Sequence, residues 1–154
     1  EEGIQGAGEI LKLVDAKLYT HLICAVGSGT TFRGLSRGLN SSQSIIGIPV
    51  LKGIDSQMLV VPDEGNLAAG VDRKLIQDYH FGGYAKRNLE LFRFMNDFYA
   101  RTAIPLDFVY TAKLIYALFD LADKGYFFEG SRILVIHSGG LQGNQSLRKG
   151  VLAF

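Results

Sequence analysis

Three stretches of the chain are apolar at nearly every position: THLICAV at 20–26, SIIGIPV at 44–50 and RILVIH at 132–137. A strand wetted on one face alternates polar with apolar residues, whereas a strand covered on both faces does not. The three runs therefore predict buried strands. Gly27 bounds the first and Pro49 stops the second, because proline has no N–H to give to a ladder. Weaker strands are expected around 58–61 and 75–79, with PDEGN at 62–66 as a turn. Between the strands, apolar positions fall at helical spacing. Ile4, Ala7, Leu11 and Val14 predict a helix over 3–16, and FRGLSRGLN continues a second one to near Asn40. Leu89, Phe92, Met95 and Tyr99 share one face of a helix over 85–101. Ile115, Leu118, Phe119 and Ala122 form the stripe of another, capped by Asp107 and ending near Lys124 with Gly125 behind it. A last helix is expected from Leu141.

Strands that alternate with helices and lack a period of two predict an α/β fold, with a mostly parallel sheet and helices on both faces in three layers. A length of 154 residues suits one domain rather than two. Sixteen basic and 15 acidic residues give a formal charge of +1, so nothing calls for nucleic acid or an anionic membrane. No apolar run approaches the ~18 residues of a membrane span, and the acidic start EEGIQGAGEI is unlike a secretory leader. Cys24 is the only cysteine, which excludes an intrachain disulfide and suits a reducing, cytoplasmic setting. Inside LICAV it is expected to be a small buried apolar group. No metal site is expected. Glycine is abundant, with 19 residues, and has no triplet period. The first residue is Glu1 rather than Met, so a trimmed or partial product is expected.

Some of that glycine sits where chemistry could be built. Gly27, Ser28, Gly29, Thr30 and Thr31 join a buried strand to a helix. Such a turn lets the backbone approach a ligand, and the helix N-terminus offers N–H groups and a dipole suited to phosphate. The hydroxyls add donors. The segment lacks the lysine of a nucleotide P-loop and the spacing of a dinucleotide fingerprint. A plain strand-to-helix turn is the alternative. HSGG at 137–140 follows another buried strand, at the sheet edge where α/β folds bind ligands, with His137 as a satisfied polar group the competing reading. LDFVYTAK at 106–113 places Asp107 and Thr111 one helical turn apart, and FGGYAK at 81–86 can present Tyr84 at a loop tip. Tyr110 is by itself an ordinary core aromatic.

In order and spacing, AVGSGTT at 25–31, GGYAK at 82–86, LDFVYTAKLIYAL at 106–118 and ILVIHSGG at 133–140 resemble the C-terminal half of the 1-aminocyclopropane-1-carboxylate deaminase and D-cysteine desulfhydrase family. Those are pyridoxal-phosphate enzymes of the tryptophan-synthase-β-like fold, and the resemblance covers most of residues 6–145. It implies that Gly27, Ser28, Gly29, Thr30 and Thr31 hold the phosphate of pyridoxal 5'-phosphate. It also implies that Thr111 faces the pyridine nitrogen, and that Tyr84 and Tyr110 are the active-site tyrosines near the substrate. A threonine rather than a glutamate at 111 leans toward the desulfhydrase-like branch. Thr30, Phe32, Arg33, Ala85, Phe108 and Ala112 depart from the family pattern.

The family's Schiff-base lysine matches no lysine here, Lys113 corresponding to a different one. The resemblance therefore implies a fragment of the large cofactor-binding domain, with the N-terminal half absent and this chain inactive alone. The expected whole protein is a deaminase or desulfhydrase of a small amino acid, releasing ammonia and a 2-oxo acid. Its partners would be that substrate, the missing half and further copies of itself. The alternatives are a non-catalytic phosphate- or PLP-binding module and a Rossmann-like nucleotide binder.

Overall fold

The structure is a computed structural model and describes residues 2–54 and 70–154. Four strands form one sheet: β1 (His21–Val26), β2 (Ser44–Pro49), β3 (Asp72–Leu75) and β4 (Ile133–Ile136), in the order β3-β2-β1-β4. Every pairing is parallel, with His21 opposite Ser44 on one side and Ile133 on the other, and Ser44 opposite Asp72. The α/β architecture expected from the unbroken apolar runs is the one observed.

The central strand shows why those runs are unbroken. Leu22, Cys24 and Val26 point into a core closed by Phe32, Leu35 and Leu39 around helix α2 (Thr30–Arg37). Their neighbour Ile23, with Ile46 and Ile48, points the other way, onto Leu114, Ala117 and Leu121 of helix α4 (Thr111–Asp123). Both faces are dry, and burying one such side chain stabilises the fold by about 1.5–3 kcal/mol. Helix α3 (Leu89–Thr102) packs outside α4 through Leu91, Met95 and Phe98, which meet Leu106, Phe108 and Ile115. Cys24 is buried as expected, and burial pushes its thiol up to about 12.

Several elements differ from the sequence expectation. The N-terminal helix α1 stops early (Glu2–Gly8) and tightens into a 3-10 helix over Glu9–Leu13, leaving Leu13 and Val14 exposed. Gly3, Gly6 and Gly8 weaken an α-helix, and Gly3 and Gly8 suit a close crossing with α2 instead. A Cβ on Gly34 of α2 would lie 2.3 Å from the Ile4 carbonyl and 2.7 Å from the Ala7 Cβ. Helix α3 begins at Leu89 rather than at 85, because Ala85 has φ +52° and Asn88 supplies the cap, accepting from the Leu91 N–H at 2.9 Å. Its buried stripe is Leu91, Met95 and Phe98, with Leu89 exposed. On α4 the stripe is likewise rotated, so Phe119 and Ala122 face outward. The strand expected at 75–79 is instead β3 at Asp72–Leu75, followed by a 3-10 turn over Gln77–Tyr79. Leu141–Ser146 is a 3-10 helix. The expected strand at 58–61 and turn at 62–66 lie outside the described residues. Among the described residues no helix is long and apolar enough to cross a membrane.

Candidate active site

The C-terminal ends of β1 and β4 open into a cleft of ≈ 280 Å³, lined by Ala25, the turn 27–31, Tyr110, the turn 138–140 and Gln142. Gly29 sits at the cap position of α2 with φ +84°, a conformation that glycine adopts without strain. Behind it the chain enters the helix directly, so the first-turn amides have no acceptor of their own within the helix. Ser28 Oγ and Thr30 Oγ1 lie 3.0 Å apart and share a hydrogen bond. Among the described residues no acidic side chain lines the cleft. Amides, hydroxyls and a helix N-terminus without a carboxylate make a wall suited to an anion.

Tyr110 forms the opposite wall. A Cβ on Gly27 would stand 3.3 Å from its Cε1 and 3.6 Å from its hydroxyl oxygen, so a side chain there would press the ring off the turn by a few tenths of an ångström. Tyr84 is more than half exposed and meets Tyr110 edge to face, with ring centroids 6.1 Å apart at 72°. Burial first, then the hydrogen bond with Tyr84, pushes the Tyr110 hydroxyl up to about 12. At neutral pH Tyr110 therefore keeps its proton and can donate a hydrogen bond.

Asp107 fixes Tyr110. It is fully buried, and its carboxylate accepts from the N–H groups of Val109, Tyr110 and Thr111 and from the Thr111 hydroxyl, each at 2.8 Å. Gly140 packs against the same carboxylate, where an added Cβ would come within 3.1 Å of Oδ1. Asn144 clasps the segment from the other side, accepting from the Phe108 N–H at 3.2 Å and donating to the Leu106 carbonyl at 2.9 Å. His137 donates from Nε2 to the Pro105 carbonyl at 3.1 Å, and its Nδ1 accepts from the Gly139 N–H at 3.4 Å. It is a satisfied polar group that ties the turn 138–140 to the segment 105–111.

Of the residues singled out in the sequence, the structure brings Gly27, Ser28, Gly29, Thr30, Thr31 and Tyr110 to one cleft, with Tyr84 against Tyr110. Thr111 is placed differently. It does not line the cleft; it is fully buried, and its hydroxyl serves the Asp107 cap. Three residues were missed in these roles. Gln142 lines the cleft and Asn144 braces it, and neither carries a local signal. Lys113 is fully buried, and its Nζ donates to the carbonyls of His80 at 2.9 Å and Gly83 at 2.8 Å.

No protein-family model matches the chain. A provisionally named 1-aminocyclopropane-1-carboxylate deaminase of Pyrococcus abyssi is 33% identical over 153 residues, covering 91% of this chain and 46% of that protein. Its similarly named counterpart from Pyrococcus horikoshii is 36% identical over 149 residues, 91% of this chain and 45% of its own length. A mitochondrial bifunctional D-cysteine desulfhydrase/1-aminocyclopropane-1-carboxylate deaminase of Arabidopsis thaliana is 32% identical over 138 residues, 81% of this chain and 33% of that protein. The crystal structure of an ACC deaminase homologue superposes with a TM-score of 0.68 at 30% identity, over 92% of this chain and 46% of the other. The chain thus spans under half the length of these relatives, and the resemblance drawn from its motifs holds over about nine-tenths of its residues.

Proposed function

We propose, from this kinship with the 1-aminocyclopropane-1-carboxylate deaminase and D-cysteine desulfhydrase family, that the chain is the cofactor-holding part of a pyridoxal-phosphate enzyme acting on a small amino acid. The observation that carries the proposal is the cleft between the turns 27–31 and 138–140. It meets an anion with backbone, hydroxyls and a helix start, and no acidic side chain lines it. These features fit the phosphate of pyridoxal 5'-phosphate, which Gly27, Ser28, Gly29, Thr30 and Thr31 would hold. When bound, that group supplies an electron sink for negative charge developing at the substrate's α-carbon.

The chain's own residues then have distinct tasks. Tyr110 walls the cleft and keeps its proton on its hydroxyl, where it can donate a hydrogen bond beside Tyr84. Thr111, which the resemblance sets against the ring nitrogen, serves that wall through Asp107. Among the described residues no lysine lines the cleft; on this reading the amine that anchors the cofactor would come from a segment outside these 154 residues. Overall, water and a small amino acid that opens a strained ring or loses a β-substituent would give a 2-oxo acid and ammonia without an oxidant: 1-aminocyclopropane-1-carboxylate by opening its ring, cysteine by losing sulfide as well.

The test uses the full-length protein with pyridoxal 5'-phosphate. Borohydride should fix the cofactor on a lysine outside this sequence. Thr31→Val should weaken the affinity for the cofactor and for inorganic phosphate about tenfold or more, the scale of a lost hydrogen bond to a charged group. A full-length protein that takes up no cofactor sinks the reading. Phosphate binding without turnover of any small amino acid would leave a binding module in its place.

A further inference from the structure

Lys113 is a charged side chain in an unusual place. It projects from the first turn of α4, is fully buried, and makes no ion pair among the described residues. Its two hydrogen-bond acceptors are backbone carbonyls of one turn, His80 and Gly83. Both carbonyls are already satisfied without it: the Gly83 N–H donates to the His80 carbonyl at 3.0 Å, and the Lys86 N–H to the Gly83 carbonyl at 3.1 Å. The ammonium thus rescues no orphaned group. What it adds is a link between the turn and the helix.

That turn needs a link. Phe81, Gly82, Gly83 and Ala85 all have positive φ, at +53°, +94°, +124° and +52°. A non-glycine residue in that region costs about 1–2 kcal/mol, so the run does not hold its shape through local preference. Tyr84 stands inside the run, more than half exposed, with its ring against Tyr110 as its described aromatic contact. The Phe81 ring supplies one anchor, edge-on to Tyr116 of α4 at 5.1 Å. Ala85 packs against the same apolar core, and Lys113 adds the polar anchor, on the carbonyl of Gly83, the residue before Tyr84.

We infer that Lys113 is a positioning residue: by tying the turn 80–83 to the start of α4 it sets Tyr84 against Tyr110. Lys113 and Tyr110 are three residues apart at the start of the same helix, so one rigid element holds one tyrosine directly and the other through the ammonium. The consequence for catalysis rests on the proposed function; the tie itself does not.

The experiment compares Lys113→Met and Lys113→Arg with the wild type in the full-length protein, by hydrogen exchange followed by mass spectrometry. In the Met variant the amides of Gly83 and Lys86 should exchange about tenfold faster or more, the signature of local opening, while peptides from the rest of α4 keep their protection. The Arg variant, which retains a cation with donors, should recover part of the loss. In turnover, the Met variant should lower kcat and leave the affinity for inorganic phosphate unchanged, since the turn 27–31 is untouched.

Unchanged protection in the Met variant overturns the inference. Should that variant fail to fold, reductive methylation of the wild type decides. Lys113 should stay unmodified while the exposed Lys12 reacts, and equal reactivity overturns the inference. The two readings fail separately: lost protection in a protein that binds no pyridoxal 5'-phosphate removes the proposed function alone, and kept protection in one that binds it removes only the role of Lys113.

Discussion

The two walls of the cleft are built in opposite ways. The turn 27–31 is made of backbone: two glycines, a helix start and small hydroxyls, held by the buried strand β1 on one side and α2 on the other. The wall of Tyr84 and Tyr110 is made of side chains held by buried polar groups, Asp107 beneath Tyr110 and Lys113 beneath the Tyr84 turn. Backbone placed by a strand and a helix is rigid wherever the sheet is intact. A tyrosine wall held by a carboxylate and an ammonium depends on a few charged hydrogen bonds, each strong and each costly to leave half-made. In folding stability, the anion end of the cleft should therefore lose less to a single substitution than the Asp107 cap that holds the tyrosine end.

Asp107→Ala is the sharpest way to break that contrast. It strips the acceptor from four donors in a site without solvent. The expected loss is about 4 kcal/mol or more, read as a fall in the urea midpoint. A loss of ~1 kcal/mol would show that the cap is not what holds the wall. Asn144→Ala should cost less, about 1–2 kcal/mol, because it removes two hydrogen bonds from a partly buried group and leaves Asp107 in place. On the backbone wall, Gly29→Ala forces a Cβ into a left-handed position and should cost about 1–2 kcal/mol. If Gly29→Ala proved worse than Asp107→Ala in the same urea series, the contrast between the walls would be reversed.

The same contrast explains what was legible in the sequence. β1, β2 and β4 were readable because both their faces are covered, which leaves continuous apolar runs. The turn 27–31 was readable because glycine and hydroxyl residues between a strand and a helix have few other uses. β3 was displaced because Asp72, Arg73 and Lys74 look like loop, although an edge strand tolerates charge. The Asp107 cap was visible as a motif, but not its consequence that the Thr111 hydroxyl is drawn beneath the wall instead of into the cleft. Lys113 was invisible as a buried residue, since a lysine in a helix ordinarily faces water. Backbone-built features leave composition and spacing behind, whereas side-chain-built ones depend on partners about 30 residues away, as Lys113 does on His80 and Gly83.

The smallest expected effect is a slope in stability with pH, and it isolates Lys113. Burial lowers its pKa from 10.5 to about 8, partly offset by Asp107. Above about pH 8 the folded chain has released a proton that the unfolded chain still binds, so folding stability rises with pH from there toward 10.5. Other groups oppose this at higher pH. Buried Cys24, raised from 9.0 to about 12, makes the folded state bind the extra proton above pH 9, and Tyr79, Tyr110 and Tyr116 do the same above pH 10. Between pH 8 and 9 the rise due to Lys113 outweighs the onset of Cys24 ionisation in the unfolded chain, and the tyrosines add little there. Urea midpoints measured across that interval should climb in the wild type and stay level or fall slightly in Lys113→Met, with both falling above pH 10. A wild-type curve already flat between pH 8 and 9 would mean that Lys113 titrates as it does in water, and that the tyrosine wall is held without a buried charge beneath the Tyr84 turn.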